Sequence, residues 1–459
     1  MKSKLTEGPV GLQLLKLTLP LVWGVFAVIA FSLADTYFVA QLGTNELAAM
    51  SFTFPVVMVL GSVAMGLGIG ASSIIARAIG SGDRYRVRRL TTDSLILSLL
   101  VVAILAGLGL ATINPLFTAL GAGPEALPLI RDYMSVWYLG IIFLVVPLVG
   151  NSAIRASGNT IVPSLIMTVA AAVNILLDPL LIFGWGDFPP LGIKGAALAT
   201  VISRAATLVA SLAFLHFRER LLLFALPKLK EVWQSWISVL SVGLPAAATN
   251  LIVPISVGLL TSLMARYGPE AVAGFGIASR VESFALIAPL ALSASIGPFV
   301  GQNWGANQRS RVNQALRLSF WFCLAWGGLI AIIVGANASG IAAWFDSEPA
   351  VVASAVAYLT TVPLSYGALG IIYIFSSTFN ALGKPLPSVA MTLSRMFLLY
   401  VPLAYLGSWL FGLQGVFVAA CLSNVAVGLG VYIWHSHQSS FKAEIKSAHL
   451  SLSPGVTVK

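Results

Sequence analysis

The run LQLLKLTLPLVWGVFAVIAFSLADTYFV at residues 12–39 decides the fold class. It is apolar almost throughout and carries a single acid, Asp35, close to its end. About 20 apolar residues at 1.5 Å rise per residue cross the hydrocarbon core of a bilayer. The chain of 459 residues is 58% hydrophobic and only 9% charged, whereas soluble domains carry about 25% charged residues. The chain is therefore predicted to be a polytopic membrane protein.

Eleven further runs of this kind follow along the chain. Long continuous runs satisfy their backbone groups in lipid by forming helices, so the predicted fold class is an all-α polytopic membrane protein with twelve transmembrane helices. The first run is interpreted as a retained span, because no small-residue cleavage site follows a short apolar core. The twelve runs are centred near residues 12–39, 47–74, 94–117, 127–149, 161–184, 193–216, 237–263, 274–300, 316–340, 352–376, 386–409 and 412–434.

Every second loop between these runs is rich in basic residues. GSGDRYRVRR (80–89) follows the second run, Arg309 and Arg311 follow the eighth, and residues 216–233 between the sixth and seventh runs are also basic. Cytoplasmic loops are enriched in lysine and arginine, so both termini are predicted to face the cytoplasm. This orientation explains the net charge of +10, and nucleic acid is not expected as a partner.

The sequence matches itself at a shift of 225 residues. GSGDRYRV (80–87) aligns with GANQRSRV (305–312), and RASGNTIVPSLIMT (155–168) aligns with NALGKPLPSVAMT (380–392) with one gap. Each half holds six runs, so the two six-helix bundles should be related by a pseudo-twofold axis along the membrane normal. Two such bundles leave a cleft that can open to either side, which favours a transporter.

Four segments follow from the repeat. We predict an N-terminal six-helix bundle at residues 1–216, a basic cytoplasmic linker at 217–235, a C-terminal six-helix bundle at 236–435 and a cytoplasmic tail at 436–459.

The loop motifs resemble those of a known family. VGQNWGANQRSR (300–311) and ARAIGSGDRYR (76–86), together with the turns RASGNT and NALGKP, are similar to motifs of the multidrug and toxic compound extrusion (MATE) transporters. Within that family the chain looks most like the DinF-like bacterial branch. The resemblance covers essentially the whole chain.

Asp35 and Asp178 are acids inside predicted spans, where a charge costs at least about 2.5–3.5 kcal/mol. Asp35 can be read as an interfacial acid near a helix end. Asp178 lies well inside its run, and Asn174 stands one helical turn before it on the same face, which a structural hydrogen-bond network could also explain. The repeat favours a functional role, because Leu260 aligns with Asp35 and the segment 395–405, which matches Asp178, has no acid.

The resemblance implies roles for these residues. It implies that Asp35 and Asp178 handle protons and that the first helix bends at Pro20. Polar and aromatic residues are predicted to line the cavity, the tyrosines through cation–π contacts with a bulky cation. The predicted cavity residues are Asn174, Asn151, Tyr37, Tyr133 and Thr200. The runs 237–263 and 352–376 hold no acid, so the sodium site that other members carry there is less expected.

The predicted function is secondary antiport of protons against amphipathic, cationic drugs by alternating access. No phosphate-binding loop, metal cluster or nucleophile–base pair is found, so neither an enzyme nor a bound cofactor is expected. We expect a multi-pass protein of the bacterial cytoplasmic (inner) membrane, in contact with lipid and functional as a monomer. A lipid-linked saccharide flippase and a sodium-coupled drug antiporter are the alternatives. Four other charged residues within spans are interpreted as having mainly a structural or gating role: Arg204, Arg280, Glu282 and Arg395.

Overall fold

Helices make up the regular structure of this chain. The computed structural model describes residues 5–184, 189–225 and 228–451 and contains no strand in those ranges. The helices are α1 (Val10–Ala40), α2 (Thr44–Gly80), α3 (Arg84–Ala119), α4 (Ala126–Gly140), α5 (Ile142–Ala156), α6 (Ile161–Phe183), α7 (Ile193–Ala213), α8 (Leu229–Met264), α9 (Pro269–Ala285), α10 (Ile287–Gly305), α11 (Arg309–Ala336), α12 (Ala338–Phe345), α13 (Pro349–Thr361), α14 (Tyr366–Ala381), α15 (Leu386–Leu393) and α16 (Val401–Ser451). Short π-helical or 3₁₀ turns extend four of them, at Phe214–Arg218, Ala265–Tyr267, Val362–Ser365 and Ser394–Tyr400. The all-α prediction is confirmed.

Twelve membrane crossings can be counted in the described part of the chain. Nine helical segments are long and apolar enough by themselves, and two bent pairs, α4 with α5 and α9 with α10, supply one crossing each. One of the nine, Leu386–Trp434, is interrupted at Gly412, whose φ of 61° and ψ of −145° are not helical. That segment therefore supplies two crossings, in agreement with the predicted runs.

Two of the predicted runs are bent in the structure. The run predicted at 127–149 bends by 41° between α4 and α5, and the run predicted at 274–300 bends by 46° between α9 and α10. Pro289 in the first turn of α10 has no N–H to donate to the carbonyl of Ala285, the last residue of α9. A helix cannot continue through that position undisturbed, which gives the second bend a physical cause.

The chain divides into two compact units. The first unit consists of Met1–Val257, Ser283–Phe320 and Ser376–Thr392. The second consists of Gly258–Glu282, Trp321–Phe375 and Leu393–Lys459. The first unit thus includes parts of both sequence repeats, and the boundaries predicted at residues 216, 236 and 436 stay a prediction.

The two repeats interlock within the first unit through equivalent residues. Arg77 Nη1 donates to the carbonyl of Ala381 at 2.7 Å, and Gln302 Nε2 donates to the carbonyl of Ala156 at 2.6 Å. Residue 302 follows residue 77 by the repeat shift of 225 residues, and residue 381 follows residue 156 by the same shift. Each repeat therefore supplies a donor to the end of a helix in the other repeat.

A close backbone crossing accompanies these hydrogen bonds. Gly80 lies directly against the backbone of Gln302, and Gly305, its counterpart in the second repeat, lies directly against the backbone of Arg77. A Cβ atom at either glycine would collide with the facing carbonyl oxygen. The ends of α2 and α10 can approach this closely only because both positions lack a side chain.

The segment before α1 is fixed to the second repeat. Asn303 Nδ2 donates to the carbonyl of Leu5 at 3.1 Å, and Arg311 donates to the carbonyls of Leu5 and Gly8 at 3.1 and 2.7 Å. The Leu5 side chain is buried. The start of α1 is therefore anchored, and bending of α1 has to take place farther along the helix.

The predicted basic linker is docked on α3 where it is described. Arg88 donates to the carbonyl of Leu222, and Thr92 Oγ1 accepts from the N–H of Leu223 at 2.9 Å. Beneath this contact Arg89 and Asp93 form a fully buried ion pair, with Arg89 Nε 2.9 Å from Asp93 Oδ2. The linker is thus held to α3 through hydrogen bonds with Arg88 and Thr92, the residues next to this pair.

Candidate functional site

The packing of α1 along α6 brings the two predicted proton carriers into one buried region. Asp35 is 8% exposed, and Asp178 is 0% exposed. The Oδ1 atom of each carboxylate has no hydrogen-bond partner among the described residues. The two groups are close enough to interact electrostatically. Two buried, incompletely paired carboxylates in a membrane span indicate a functional site.

Asn174 joins Asp178 to α7. The side-chain amide nitrogen of Asn174 donates to Asp178 Oδ2 at 3.0 Å, and its side-chain oxygen accepts from the backbone N–H of Thr200 at 3.2 Å. Asn174 is completely buried, so its amide has few other groups to bind. The structure thus brings Asn174, Asp178 and Thr200 together.

Tyr133 of α4 completes this buried region. Its side chain is only 6% exposed, and its hydroxyl lies within electrostatic range of both Asp35 and Asp178. A buried tyrosine hydroxyl can donate to a carboxylate when the helices shift slightly. The structure therefore places Tyr133 with the acids, and its role in the cavity stays a prediction.

Two predicted cavity residues lie away from this group. Tyr37 is 63% exposed and its ring packs against Phe38. It lies two residues after Asp35 and therefore points to a different side of the helix. Asn151 is buried five residues before the end of α5, whereas Asp178 is 17 residues into α6. At 1.5 Å per residue the two differ in depth by roughly 18 Å. Their assignment to the cavity stays a prediction.

Pro20 lies inside α1 at a place where the helix contacts α6 closely. Proline removes one intrahelical hydrogen bond, here the one to the carbonyl of Lys16, and favours a kink. One turn later, a Cβ atom on Gly24 would lie only 3.1–3.2 Å from Ser164. The hydroxyls of Thr18 and Ser164 are buried and have no hydrogen-bond partner in the described chain. This stretch of α1 therefore packs closely on α6 but has few hydrogen bonds.

The sequence interpretation did not connect Arg204 with the acidic group. Its guanidinium lies 5.4 Å from the centre of the Phe31 ring, a cation–π contact. Phe31 stands one turn before Asp35 on α1, and Arg204 stands one turn after Thr200 on α7. These two i,i+4 spacings were visible in the sequence and indicate that a cation lies one turn away from the carboxylates.

A second polar group lies within the second unit and is linked by several hydrogen bonds, although Arg395 Nε has no partner in the described residues. Tyr358 donates to Glu282, Arg395 Nη1 donates to Asn424 Oδ1 at 3.0 Å, and Asn424 Nδ2 donates to Ser365 Oγ at 2.9 Å. Glu282 and Arg395 also attract each other electrostatically. These contacts fit the structural interpretation of Glu282 and Arg395. No group of three or more potential metal ligands occurs in the described residues.

Comparison with known proteins identifies the family. The MatE family model matches residues 20–180 and 245–406. The chain belongs to the MATE family. It is therefore a multi-pass membrane transporter and not an enzyme, as predicted, whereas its place in the DinF-like branch stays a prediction.

Curated MATE relatives carry two kinds of name. A protein of Shewanella oneidensis named "FAD transporter" is 41% identical over 428 residues, which cover 93% of this chain and 95% of the relative. The "Probable multidrug resistance protein YoeA" of Bacillus subtilis is 27% identical, with coverage of 86% and 88%. The family membership thus leaves the transported molecule open.

Solved MATE structures match the whole fold. The Vibrio cholerae MATE transporter VcmN in its bent form has a TM-score of 0.89 at 32% identity and covers 95% of this chain and 98% of that one. An aspartate-to-asparagine mutant of VcmN has a TM-score of 0.90 at 31% identity, with coverage of 95% and 97%. The predicted fold of twelve helices in two bundles is confirmed by this agreement.

Proposed function

We propose that this MATE chain exports amphipathic organic molecules by antiport with protons, and that Asp35 and Asp178 carry the protons. The observation that supports this proposal is the pair of buried carboxylates, each with one oxygen that has no hydrogen-bond partner in the described chain. A structural carboxylate in lipid is normally paired. An oxygen without a partner is a position at which a proton can bind.

Proton binding changes the hydrogen bonds of the site. A charged Asp178 accepts from the amide nitrogen of Asn174, as in the 3.0 Å contact. A protonated carboxyl is also a donor, and Asp178 Oδ1, which has no partner in the described chain, can hold the proton while Oδ2 keeps accepting from Asn174. Protonation of Asp178 therefore adds a donor to the site without breaking its contact with Asn174.

The first helix links this change to transport. Protonation of Asp35 removes its charge and its repulsion from Asp178, so α1 can pack differently beyond Pro20. The start of α1 stays anchored at Leu5 and Gly8, so the bend falls around Pro20, where the helix lacks one backbone hydrogen bond. One proton moving down 100 mV supplies about 2.3 kcal/mol, enough to drive about a fiftyfold gradient of a neutral molecule.

Protons are favoured over sodium as the coupling ion. The runs 237–263 and 352–376 carry no acid, whereas the carboxylates of the first unit stand beside donors that suit proton exchange. The proposal includes both termini in the cytoplasm, the bacterial inner membrane as location, a functional monomer and no bound cofactor. Cationic drugs are the proposed cargo because the site is acidic.

Efflux of a fluorescent cation from proteoliposomes tests the proposal. Proton and sodium gradients are imposed separately on the wild type, Asp35→Asn and the matched control Asp132→Asn. Asp132 is a half-exposed acid whose partner, Lys194, is 3.0 Å away. We expect proton-driven efflux by the wild type and the control and none by Asp35→Asn, with equal amounts of folded protein. Sodium-driven efflux, or full efflux by Asp35→Asn, would refute the proposal.

Export of FAD is the second candidate function. It is favoured by the 41% identity with the Shewanella protein over almost the full length of both chains. FAD is a planar, amphipathic molecule, but its pyrophosphate makes it an anion. Proton-driven release of FAD from the same proteoliposomes, measured by its own fluorescence, distinguishes it from cationic cargo. A flippase for lipid-linked saccharides is not carried forward, because the relatives are named for FAD or drugs.

A further inference from the structure

Arg280 is a cation without a protein partner inside a membrane-spanning helix. It lies 11 residues after Pro269, the first residue of α9, or about 16 Å along the helix. Its side chain is exposed, and it makes no ion pair or hydrogen bond with any described residue. Arginine in contact with lipid hydrocarbon is costly. The exposed side of α9 at this position therefore borders water or a polar ligand.

A cavity of about 300 Å³ adjoins Arg280 within the second unit. Its walls are the small or apolar residues Ala273, Gly276, Ile277 and Phe345, with Asp346 as the other charged group. Gly276 stands one turn before Arg280 and has no atom of another residue where a side chain would be. The cavity therefore offers Arg280 room for a ligand, and Asp346 is the other charged side chain in its lining.

The charge pattern of this cavity fits a particular kind of ligand. A guanidinium binds phosphate and carboxylate oxygens with two parallel hydrogen bonds. Asp346 does not form an ion pair with Arg280, and its Oδ1 already accepts from the N–H of Glu348 at 2.9 Å. Its other oxygen can accept from a hydroxyl group. The two residues together suit a phosphate group with hydroxyls close to it.

We propose that Arg280 and this cavity form a binding site for a hydroxylated phosphate ester. Two sources carry this chemistry, the ribityl pyrophosphate portion of a flavin dinucleotide and the headgroup of phosphatidylglycerol. As a site for exported cargo it rests on the proposed function, but ligand binding itself needs no proton gradient. A cationic drug gains nothing from Arg280, so the residue separates anionic from cationic ligands.

Direct binding tests the soluble source. The purified protein in phosphatidylcholine nanodiscs is titrated against FAD, followed by fluorescence anisotropy, in the wild type, Arg280→Gln and Asp346→Asn. Loss of a bidentate charged contact should weaken FAD binding about tenfold or more in Arg280→Gln. Asp346→Asn keeps the hydrogen bond to Glu348 but replaces the oxygen that accepts from the ligand's hydroxyl, so FAD binding should weaken by clearly less than in Arg280→Gln. Riboflavin, which has no phosphate, should not respond to Arg280→Gln.

Native mass spectrometry tests the lipid source. Protein released from nanodiscs that contain phosphatidylglycerol should retain this lipid in the wild type and lose it in Arg280→Gln. Either an Arg280-dependent FAD affinity or an Arg280-dependent lipid adduct supports the site and names its source. Equal behaviour of wild type and Arg280→Gln with both probes overturns it, as does an equal loss in Arg280→Gln and Asp346→Asn. These readouts do not depend on Asp35, so failure of proton coupling is recognised separately.

Discussion

Gln302 Nε2 donates a 2.6 Å hydrogen bond to the backbone carbonyl of Ala156, which lies 146 residues earlier in the chain. The glutamine is completely buried. Its equivalent in the first repeat, Arg77, makes the corresponding bond to Ala381 at 2.7 Å. A buried carbonyl that loses its donor costs about 1–3 kcal/mol, so both bonds should contribute measurably to stability.

Replacement of Gln302 by methionine tests this contribution. Gln302→Met keeps the side-chain length but removes the donor, and we expect a loss of about 1–3 kcal/mol in the free energy of unfolding. Denaturant unfolding of the detergent-solubilised protein measures it. Gln234→Met, at an exposed position of α8, is the control and should change the stability by less than about 0.5 kcal/mol. Equal effects of the two variants would contradict the prediction.

The Arg89–Asp93 pair predicts strong coupling between two substitutions. Arg89→Met or Asp93→Leu alone leaves one buried charge without its partner, and each should cost about 3–5 kcal/mol. The double variant removes both charges and should lose clearly less than the sum of the two. A double-mutant cycle on unfolding free energies measures the coupling. Additive losses would mean that the two charges do not stabilise each other.

Asn174 should matter for transport more than its neighbour Thr200. Asn174→Leu removes the donor to Asp178 Oδ2 at 3.0 Å and should reduce proton-driven efflux at least about tenfold. Thr200→Val keeps the backbone N–H that binds Asn174 and loses only the distant hydroxyl. Efflux by Thr200→Val should stay within about twofold of the wild type. A stronger defect in Thr200→Val would show that the hydroxyl, and not the amide, controls the site.

Gly24 should be sensitive to added volume. A valine at this position would push against Ser164, which a Cβ atom approaches to 3.1–3.2 Å. Overpacking of this kind costs about 1–3 kcal/mol, and here it should also reduce efflux because it separates α1 from α6 beside Pro20.

Two further variants decide the cause of a Gly24→Val defect. Gly61→Val introduces the same β-branched residue into α2, where no atom of another residue lies within 4 Å of the new Cβ. It should change efflux and thermal stability little. Ser164→Gly should partly rescue Gly24→Val. If Gly61→Val is equally harmful, helix propensity rather than the contact with Ser164 explains the loss.

The spans were predictable from the sequence, but their bends were not. The length of an apolar run, at 1.5 Å rise per residue, shows whether it can cross the bilayer as a helix. All twelve predicted runs correspond to helical segments. The bend between α4 and α5 at Ile141 has no equally clear local signal, because its apolar residues would suit a straight helix. Such a bend depends on packing against other helices.

The site was predictable where helix periodicity alone decides the geometry. The spacing of Asn174 and Asp178 placed both on one face, and the structure joins them. The same rule could have separated Tyr37 from Asp35, because residues that are two positions apart point to different sides of a helix. The position of Asn151 relative to Asp178 could not be predicted in this way, because its depth in the membrane depends on how α5 and α6 are connected. Asp93 was overlooked because it lies in a segment whose arginines suggest an exposed cytoplasmic surface.

Gly80 and Gly305 restrict how the two repeats can change in sequence, because each faces the backbone of the other repeat. Copies of a duplicated segment can ordinarily accumulate changes independently. Here any side chain added at residue 80 in the first copy meets the main chain of the second, and any side chain added at residue 305 meets the main chain of the first. Neither backbone can be mutated away to make room. A change at one position therefore has no compensating substitution in the other copy, and both positions are restricted to the smallest residue for as long as α2 and α10 cross there.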